Sequence, residues 1–175
     1  MRAPILTALA LGLCACAGSD TRTDAASAAS ARASLASTQG QLARGDLVLR
    51  QEAAGVRVTG TLRGLKPDAV HGFHVHEKGD CSALDASSAG AHYNPAEAAH
   101  GNPASPAHHA GDIPNIQADA SGRASVDALI EGVSLGGTND IVGRALIVHA
   151  DPDDYTTQPS GNSGARIACG VIEAD

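Results

Sequence analysis

The chain is 175 residues long, carries a formal net charge of −7, and is 43 % hydrophobic but only 2 % aromatic. That length fits one ordinary domain plus a short appendage, and the hydrophobic fraction suffices for a core that must be aliphatic. The negative charge, with lysine only at Lys66 and Lys78, excludes a nucleic-acid binder, which needs clustered cations against phosphate.

Met1–Arg2 followed by the apolar run Ile5–Leu13 predicts an export signal, and the run is too short to span a bilayer. Leu13-Cys14-Ala15-Cys16 resembles the lipobox of bacterial lipoproteins. Residues 1–15 are then a signal peptide, and Cys16 becomes the lipidated first residue of the mature chain. The aspartate that retains bacterial lipoproteins in the inner membrane is absent after Cys16. The expected address is therefore the periplasm, with an anchor in the outer membrane. The alternative is ordinary cleavage after Ala17, in a small-x-small site, which leaves a soluble periplasmic protein. Residues 16–30, rich in Ala, Ser, Thr and Asp without periodicity, read as a flexible tether, and 31–175 as the domain.

From Ala31 the pattern turns to strands. Leu47 and Leu49 alternate with Val48 and Arg50. Val56, Val58, Gly60 and Leu62 alternate with Arg57, Thr59, Thr61 and Arg63, and "EAAG" between the two runs predicts a hairpin loop. "GLKPD" is a turn leading into "AVHGFHVHEK"; "RASVDALI", "RALIVHA" and "ARIACGVIE" are later strands. No long helical period competes with them, so the expected fold is an all-β sandwich or barrel. Two stretches break the rhythm: Asp80 to about Asn115, and Asp151 to Gly164. Structureless loops this long are uncommon unless something ties them down, and both begin just after a histidine-bearing strand.

Eight histidines are an excess in a chain with so few large side chains. In a strand, residues two apart share a face, so His74 and His76 point together, about 7 Å apart, while Phe73 and Val75 face the core. Leu146 and Val148 likewise face inward and turn His149 out. Three imidazoles on one outer wall are half of a site suited to copper or zinc. The long loop adds His92, His100, His108, His109 and Asp112. Three histidines and an aspartate fit a closed four-coordinate zinc site, and a metal held at several points would order the loop. His108 and His109 are adjacent, so their side chains diverge and do not serve one ion. Cys81 and Cys169, 88 positions apart, are an even pair in an exported chain and are expected to form a disulfide.

"GFHVHEKGDC", "GAHYNP", "HG", "HHAGDIPN", "GRALIVHADPDD" and "GNSGARIACGVI" occur in this order from about Ala33 to Ile172. Together they resemble the copper–zinc superoxide dismutases, specifically the bacterial periplasmic kind. The resemblance implies a Greek-key, immunoglobulin-like β-barrel of about eight antiparallel strands, with the two long loops forming the metal site. It implies one copper and one zinc per subunit, and the conversion of two superoxide anions and two protons to dioxygen and hydrogen peroxide by copper redox cycling. It implies copper ligands at His74, His76, His92 and His149, and zinc ligands at His92, His100, His109 and Asp112. His92 is then the shared ligand and a proton carrier, and Arg166 the cation that guides the anion to copper. Asp153 becomes the carboxylate linking ligand histidines of the two metals, His71 a structural histidine beside them, His108 a bystander, and Cys81–Cys169 the internal disulfide.

The acidic–lysine cluster that many eukaryotic members carry before "GNxG" is missing from "DDYTTQPS". Steering of an anion must then be local, with Lys78 the candidate charge. Both monomers and homodimers occur among bacterial members. A metal-binding envelope protein of the same fold without dismutase activity is the main alternative; it would be expected to lack the open copper position or Arg166. A zinc hydrolase lacks a glutamate base, and a purely adhesive sandwich leaves the histidines unexplained.

Overall fold

The computed structural model describes residues 29–175, so the expected signal, Cys14, Cys16 and all but the end of the tether lie outside the described residues. Nine strands follow in order: β1 (Ser30–Ser37), β2 (Arg44–Gln51), β3 (Gly55–Arg63), β4 (Val70–His76), β5 (Asp112–Gln117), β6 (Ala124–Glu131), β7 (Ala145–His149), β8 (Arg166–Val171) and the two-residue β9 (Glu173–Ala174). Among the described residues, the helical content is one 3₁₀ turn, Ser87–Ala89. The strands run β5-β4-β7-β8-β1-β2-β3-β6 in space, all antiparallel, with β9 alongside β1. β3 lies beside β6 and β4 beside β7, so the chain crosses the ends of the barrel in a Greek-key path.

The alternation anticipated for β2 and β3 is the alternation found. Leu47, Leu49, Val56, Val58 and Leu62 are buried, while Arg44, Asp46, Arg50 and Arg63 are exposed. The "EAAG" segment closes the hairpin, with Glu52 N–H donating to Gly55 O and Gly55 N–H to Glu52 O. Phe73, the single phenylalanine, is fully buried in a core that is aliphatic apart from it and Tyr93.

Two strands were not delimited from the sequence. β1 falls where the pattern was expected to turn to strands, but its inward residues Ala31, Ala33 and Leu35 are mostly small and no strand was bounded before Leu47; it begins at Ser30, where the tether was expected to end. β5 starts at Asp112, inside the segment expected to be irregular up to Asn115. Its Pro114 lacks a donor, which argues against a central strand, but β5 is the edge of the sheet and leaves that position unpaired.

The outward face of the β4–β7–β8 sheet is not bare. Ala145, Ile147 and Cys169 pack there against Ala86 and Ala89 of the segment 77–111, forming a small second apolar cluster. The Cys81–Cys169 disulfide is formed and pins this segment to β8. The chain at Tyr93 lies alongside β4, with Tyr93 N–H donating to Val75 O and Gly111 N–H to Tyr93 O. Arg144 stacks its guanidinium 3.7 Å from the Tyr93 ring centroid and donates to Glu77 O. These ties order most of segment 77–111 from beneath.

Candidate metal centre

His74 and His76 project from β4 on the side away from the core, and His149 from the neighbouring end of β7. All three are nonetheless buried, because the segments 77–111 and 150–165 close over them. An isolated bridge pairs His76 with His92, which brings the loop histidine opposite the strand. Asp112 opens β5 directly across from His74.

Two groups result: His74, His76, His92 and His149; and His92, His100, His109 and Asp112. In each, one ligating atom per residue lies within 4.8 Å of all the others, and every member is buried. His92 is the member they share.

The outer hydrogen bonds fix which ring nitrogens carry protons, as inferred from their partners. His76 Nδ1–H donates to Gly90 O (2.9 Å) and His149 Nδ1–H to Gly164 O (3.2 Å). Their Nε2 atoms, left as lone pairs, face each other at 3.4 Å. His74 Nε2–H donates to Asp153 Oδ2 (2.8 Å), and His100 Nε2–H to Asp153 Oδ1 (2.9 Å). The opposite nitrogens, His74 Nδ1 and His100 Nδ1, are buried without a hydrogen-bond partner, as is His92 Nε2. His100 Nδ1 does lie 3.1 Å from Asp112 Oδ2, close enough to pair but not aimed at it. Lone pairs converging at such distances repel unless a cation sits among them, and orphaned buried nitrogens are costly. The donor set therefore fits metal ions: imidazoles for copper, and three imidazoles with a carboxylate for zinc.

The electrostatics agree with this geometry. Burial pushes His76 down to about 2, with nearby His92 adding to the effect. Burial likewise lowers His149 to about 3, and His92 to about 4 despite its contact with Asp112. All three are neutral imidazoles at pH 7, the form that ligates. For Asp112, burial alone would raise the carboxyl. Hydrogen bonds from His109 and His92 outweigh it and hold the group well below the usual carboxylate range.

Asp153 spans the two groups, touching one histidine of each, and is itself buried. Gly161 makes room for it: a Cβ there would lie 1.8 Å from Asp153 Oδ1 and 2.6 Å from His100 Nε2. His71 is buried, donates through Nδ1 to His149 O (2.8 Å), and stands outside both groups. His108 turns its Nδ1–H onto His109 O and also stays outside.

A cleft of about 600 Å³ opens onto His76, His92 and His149, with Arg166 on its wall. Arg166 donates through its two terminal nitrogens to Ala86 O and Gly90 O, so segment 77–111 sets its direction. Burial lowers its pKa, against the pull of Asp85. Among the described residues Arg166 is the sole Lys or Arg lining this cleft. Lys78 does not line it; its N–H is bonded to Ala89 O and its side chain is exposed.

Gly161, Asn115 and Gln158 were not singled out from sequence, though each touches a central residue. Gly161 opens "GNSG" and Asn115 lies in "HHAGDIPN", so the motifs contained them; Gln158 carries no local signal.

The profile of the copper/zinc superoxide dismutase family matches residues 43–172. The chain is 42 % identical over 147 residues to the protein named copper–zinc superoxide dismutase 2 of Aquifex aeolicus (strain VF5), covering 81 % of this chain and 85 % of that one. Among solved structures, it is similar to a double mutant of a superoxide-dismutase-like protein from Bacillus subtilis, at 39 % identity and a TM-score of 0.73, covering 81 % of this chain and 96 % of that one. The crystal structure of a superoxide-dismutase-like protein from Bacillus subtilis gives 38 % identity and a TM-score of 0.72, covering 80 % of this chain and 96 % of that one.

Proposed function

The chain belongs to the copper/zinc superoxide dismutase family, and from that premise we propose how its residues divide the work. The protein is an enzyme, an oxidoreductase that converts two superoxide anions and two protons to dioxygen and hydrogen peroxide with bound copper and zinc. The observation that carries the assignment of roles is His92: one ring nitrogen faces Asp112 and His109, and the other, unpartnered, faces the remaining group. His74, His76, His92 and His149 hold copper; His92, His100, His109 and Asp112 hold zinc. When bound, copper supplies a one-electron couple and zinc fixes the second nitrogen of the shared imidazole.

The chain's own residues do the rest. Arg166 presents a fixed cationic fork to the anion at the mouth of the copper group. With Nδ1 engaged on the zinc side, His92 Nε2 is the atom that would carry a proton whenever it is not engaged on copper, and release it there. Asp153 holds the His74 and His100 rings in one tautomer and orientation. His71 fixes the backbone carbonyl of His149.

The test is metal content with activity. Protein carrying one copper and one zinc removes superoxide and loses this when copper is chelated. Full loading of both groups without activity refutes the dismutase reading and leaves a metal-binding envelope protein.

We also propose export with lipidation at Cys16, supported by the lipobox-like "LCAC" and by a disulfide that needs an oxidising compartment. Mass spectrometry of the mature N-terminus checks it; an unmodified chain cut after Ala17 overturns the anchor.

A further inference from the structure

Three side-chain amides in this structure each clamp both main-chain groups of one residue: Asn94 does so four residues along its own loop, on Ala98, and two others reach across the chain to the centre. Asn115, on β5, accepts the Asp153 N–H at Oδ1 (2.9 Å) and donates from Nδ2 to the Asp153 carbonyl (2.8 Å). Gln158 accepts the His100 N–H at Oε1 (2.9 Å) and donates from Nε2 to the His100 carbonyl (2.9 Å). A carboxamide has the donor–acceptor pattern of a peptide unit, so each saturates both main-chain groups of one residue, as a neighbouring strand would. The two residues clamped from across the chain are the ones joined by the Asp153–His100 bond.

The connectivity closes a ring. Asp153 bonds the His100 imidazole; His100's main chain is held by Gln158; and Gln158 lies in the same segment as Asp153. Among the described residues, every hydrogen bond between the segments 77–111 and 150–165 lands on His100: one to its ring from Asp153, and two to its backbone from Gln158. Neither the disulfide nor Arg166 ties these two segments to each other, because both run from β8 to segment 77–111. Gln158 is exposed, so its contribution is made by directed hydrogen bonds rather than by filling the core.

We propose that Gln158 is a positioning residue for the zinc half of the centre. It holds the His100 backbone so that Nδ1 points inward while Nε2 meets Asp153, and Asn115 anchors the other end of that bond to β5. This rests on the reading that His92, His100, His109 and Asp112 hold zinc.

Gln158→Met keeps length and bulk but removes both hydrogen bonds; Gln158→Glu keeps the acceptor for His100 N–H and loses the donor. On the fully loaded protein, the release of zinc to a chromogenic chelator and the loss of copper to a copper-selective chelator are followed separately. Two neutral hydrogen bonds are together worth on the order of tenfold. Gln158→Met is therefore expected to release zinc at least fivefold faster with copper loss unchanged, and Gln158→Glu to fall between it and the parent. With cobalt in place of zinc, the visible spectrum of Gln158→Met shifts, reporting altered ligand geometry. Zinc release by Gln158→Met less than fivefold faster, or equal acceleration of both metals, overturns the proposal, since the second outcome means general loosening. A parent protein that takes up no zinc instead overturns the assignment of the zinc group, and the proposal with it.

Discussion

Gly161→Ala tests whether Asp153 is held where the two histidines need it. Gly161 has a φ of +66°, and a Cβ there would stand 1.8 Å from Asp153 Oδ1 and 2.5 Å from its Cγ. A carbon–oxygen contact needs at least about 3.2 Å, so the carboxylate must retreat by roughly 1.4 Å. The oxygen that moves is the one accepting from His100 Nε2 (2.9 Å) and from Tyr155 N–H (2.7 Å). Hydrogen bonds to a charged group are worth about 1.5–3 kcal/mol each, and the left-handed backbone adds about 1–2 kcal/mol of strain for alanine. Partial relaxation of the segment favours the lower end of that sum, about 4 kcal/mol. For a domain of this size that is a fall of about 8–16 °C in unfolding temperature. Gly40→Ala separates strain from clash, because Gly40 has φ +77° and nothing within 4 Å of its Cβ position; it should lower the temperature by only about 2–8 °C. Differential scanning calorimetry of both variants with metals bound, alongside zinc content, is the assay. Equal shifts for the two variants, with zinc fully retained in Gly161→Ala, would refute the reasoning, because the clash would then cost nothing at Asp153.

Replacing Cys81 and Cys169 together by Ser opens a loop spanning 88 positions, worth about 4–5 kcal/mol in the chain-entropy model, and should lower the unfolding temperature by about 8–20 °C at fixed metal concentrations. His76, His149 and His92 have folded pKa values depressed to about 2, 3 and 4, so each favours the unfolded chain once pH falls below its unfolded value near 6.5. The metal-free protein should therefore lose roughly 1 kcal/mol per pH unit for each such imidazole between about pH 6.5 and 4, visible as falling urea midpoints; flat midpoints across that window would contradict the burial argument. Arg166→Ala should reduce kcat/KM for superoxide on the order of 10- to 100-fold and flatten its salt dependence. Lys78→Ala, a residue that does not line the cleft, should change neither by more than about twofold, and a flattened salt slope in that variant would restore Lys78 as a steering charge.

The legible part of this fold was the part written in large side chains. Leu47, Leu49, Val56 and Val58 announce their strands because an aliphatic alternation has few other uses. The bounds of β1 were hard to read because two of its three inward residues, Ala31 and Ala33, are too small to contrast with their polar neighbours, and β5 was hidden because Pro114 disguises an edge strand. The candidate ligands that the structure brings together were legible one by one from residue type and the spacing of His74 and His76, and as a set from six motifs in order. What no spacing could show is how they are held. Gln158 and Gly161 act through main-chain groups and through space where a side chain would collide, and neither leaves a periodic mark.

The outer partners of the histidines explain why such a centre needs so much scaffold. Seven side chains are turned inward with their lone pairs converging, and four of the imidazoles crowd round one point. Without a cation this arrangement is repulsive, so the free chain gains nothing by forming it and must be constrained into it from outside. The constraints are distributed so that each acts on a different degree of freedom. β4 and β7 set the separation of His74, His76 and His149; the disulfide and Arg144 hold segment 77–111 against the barrel; and carbonyls at Gly90 and Gly164, with the Asp153 carboxylate, choose the ring tautomers. Holding a loop of this length against the barrel costs entropy, and the covalent tie from Cys81 to β8 offsets part of it. The orientation of His100 is set by other partners, its ring by Asp153 and its backbone by Gln158. That is why the amide clamp on its backbone, rather than the disulfide, is the element on which retention of zinc should turn.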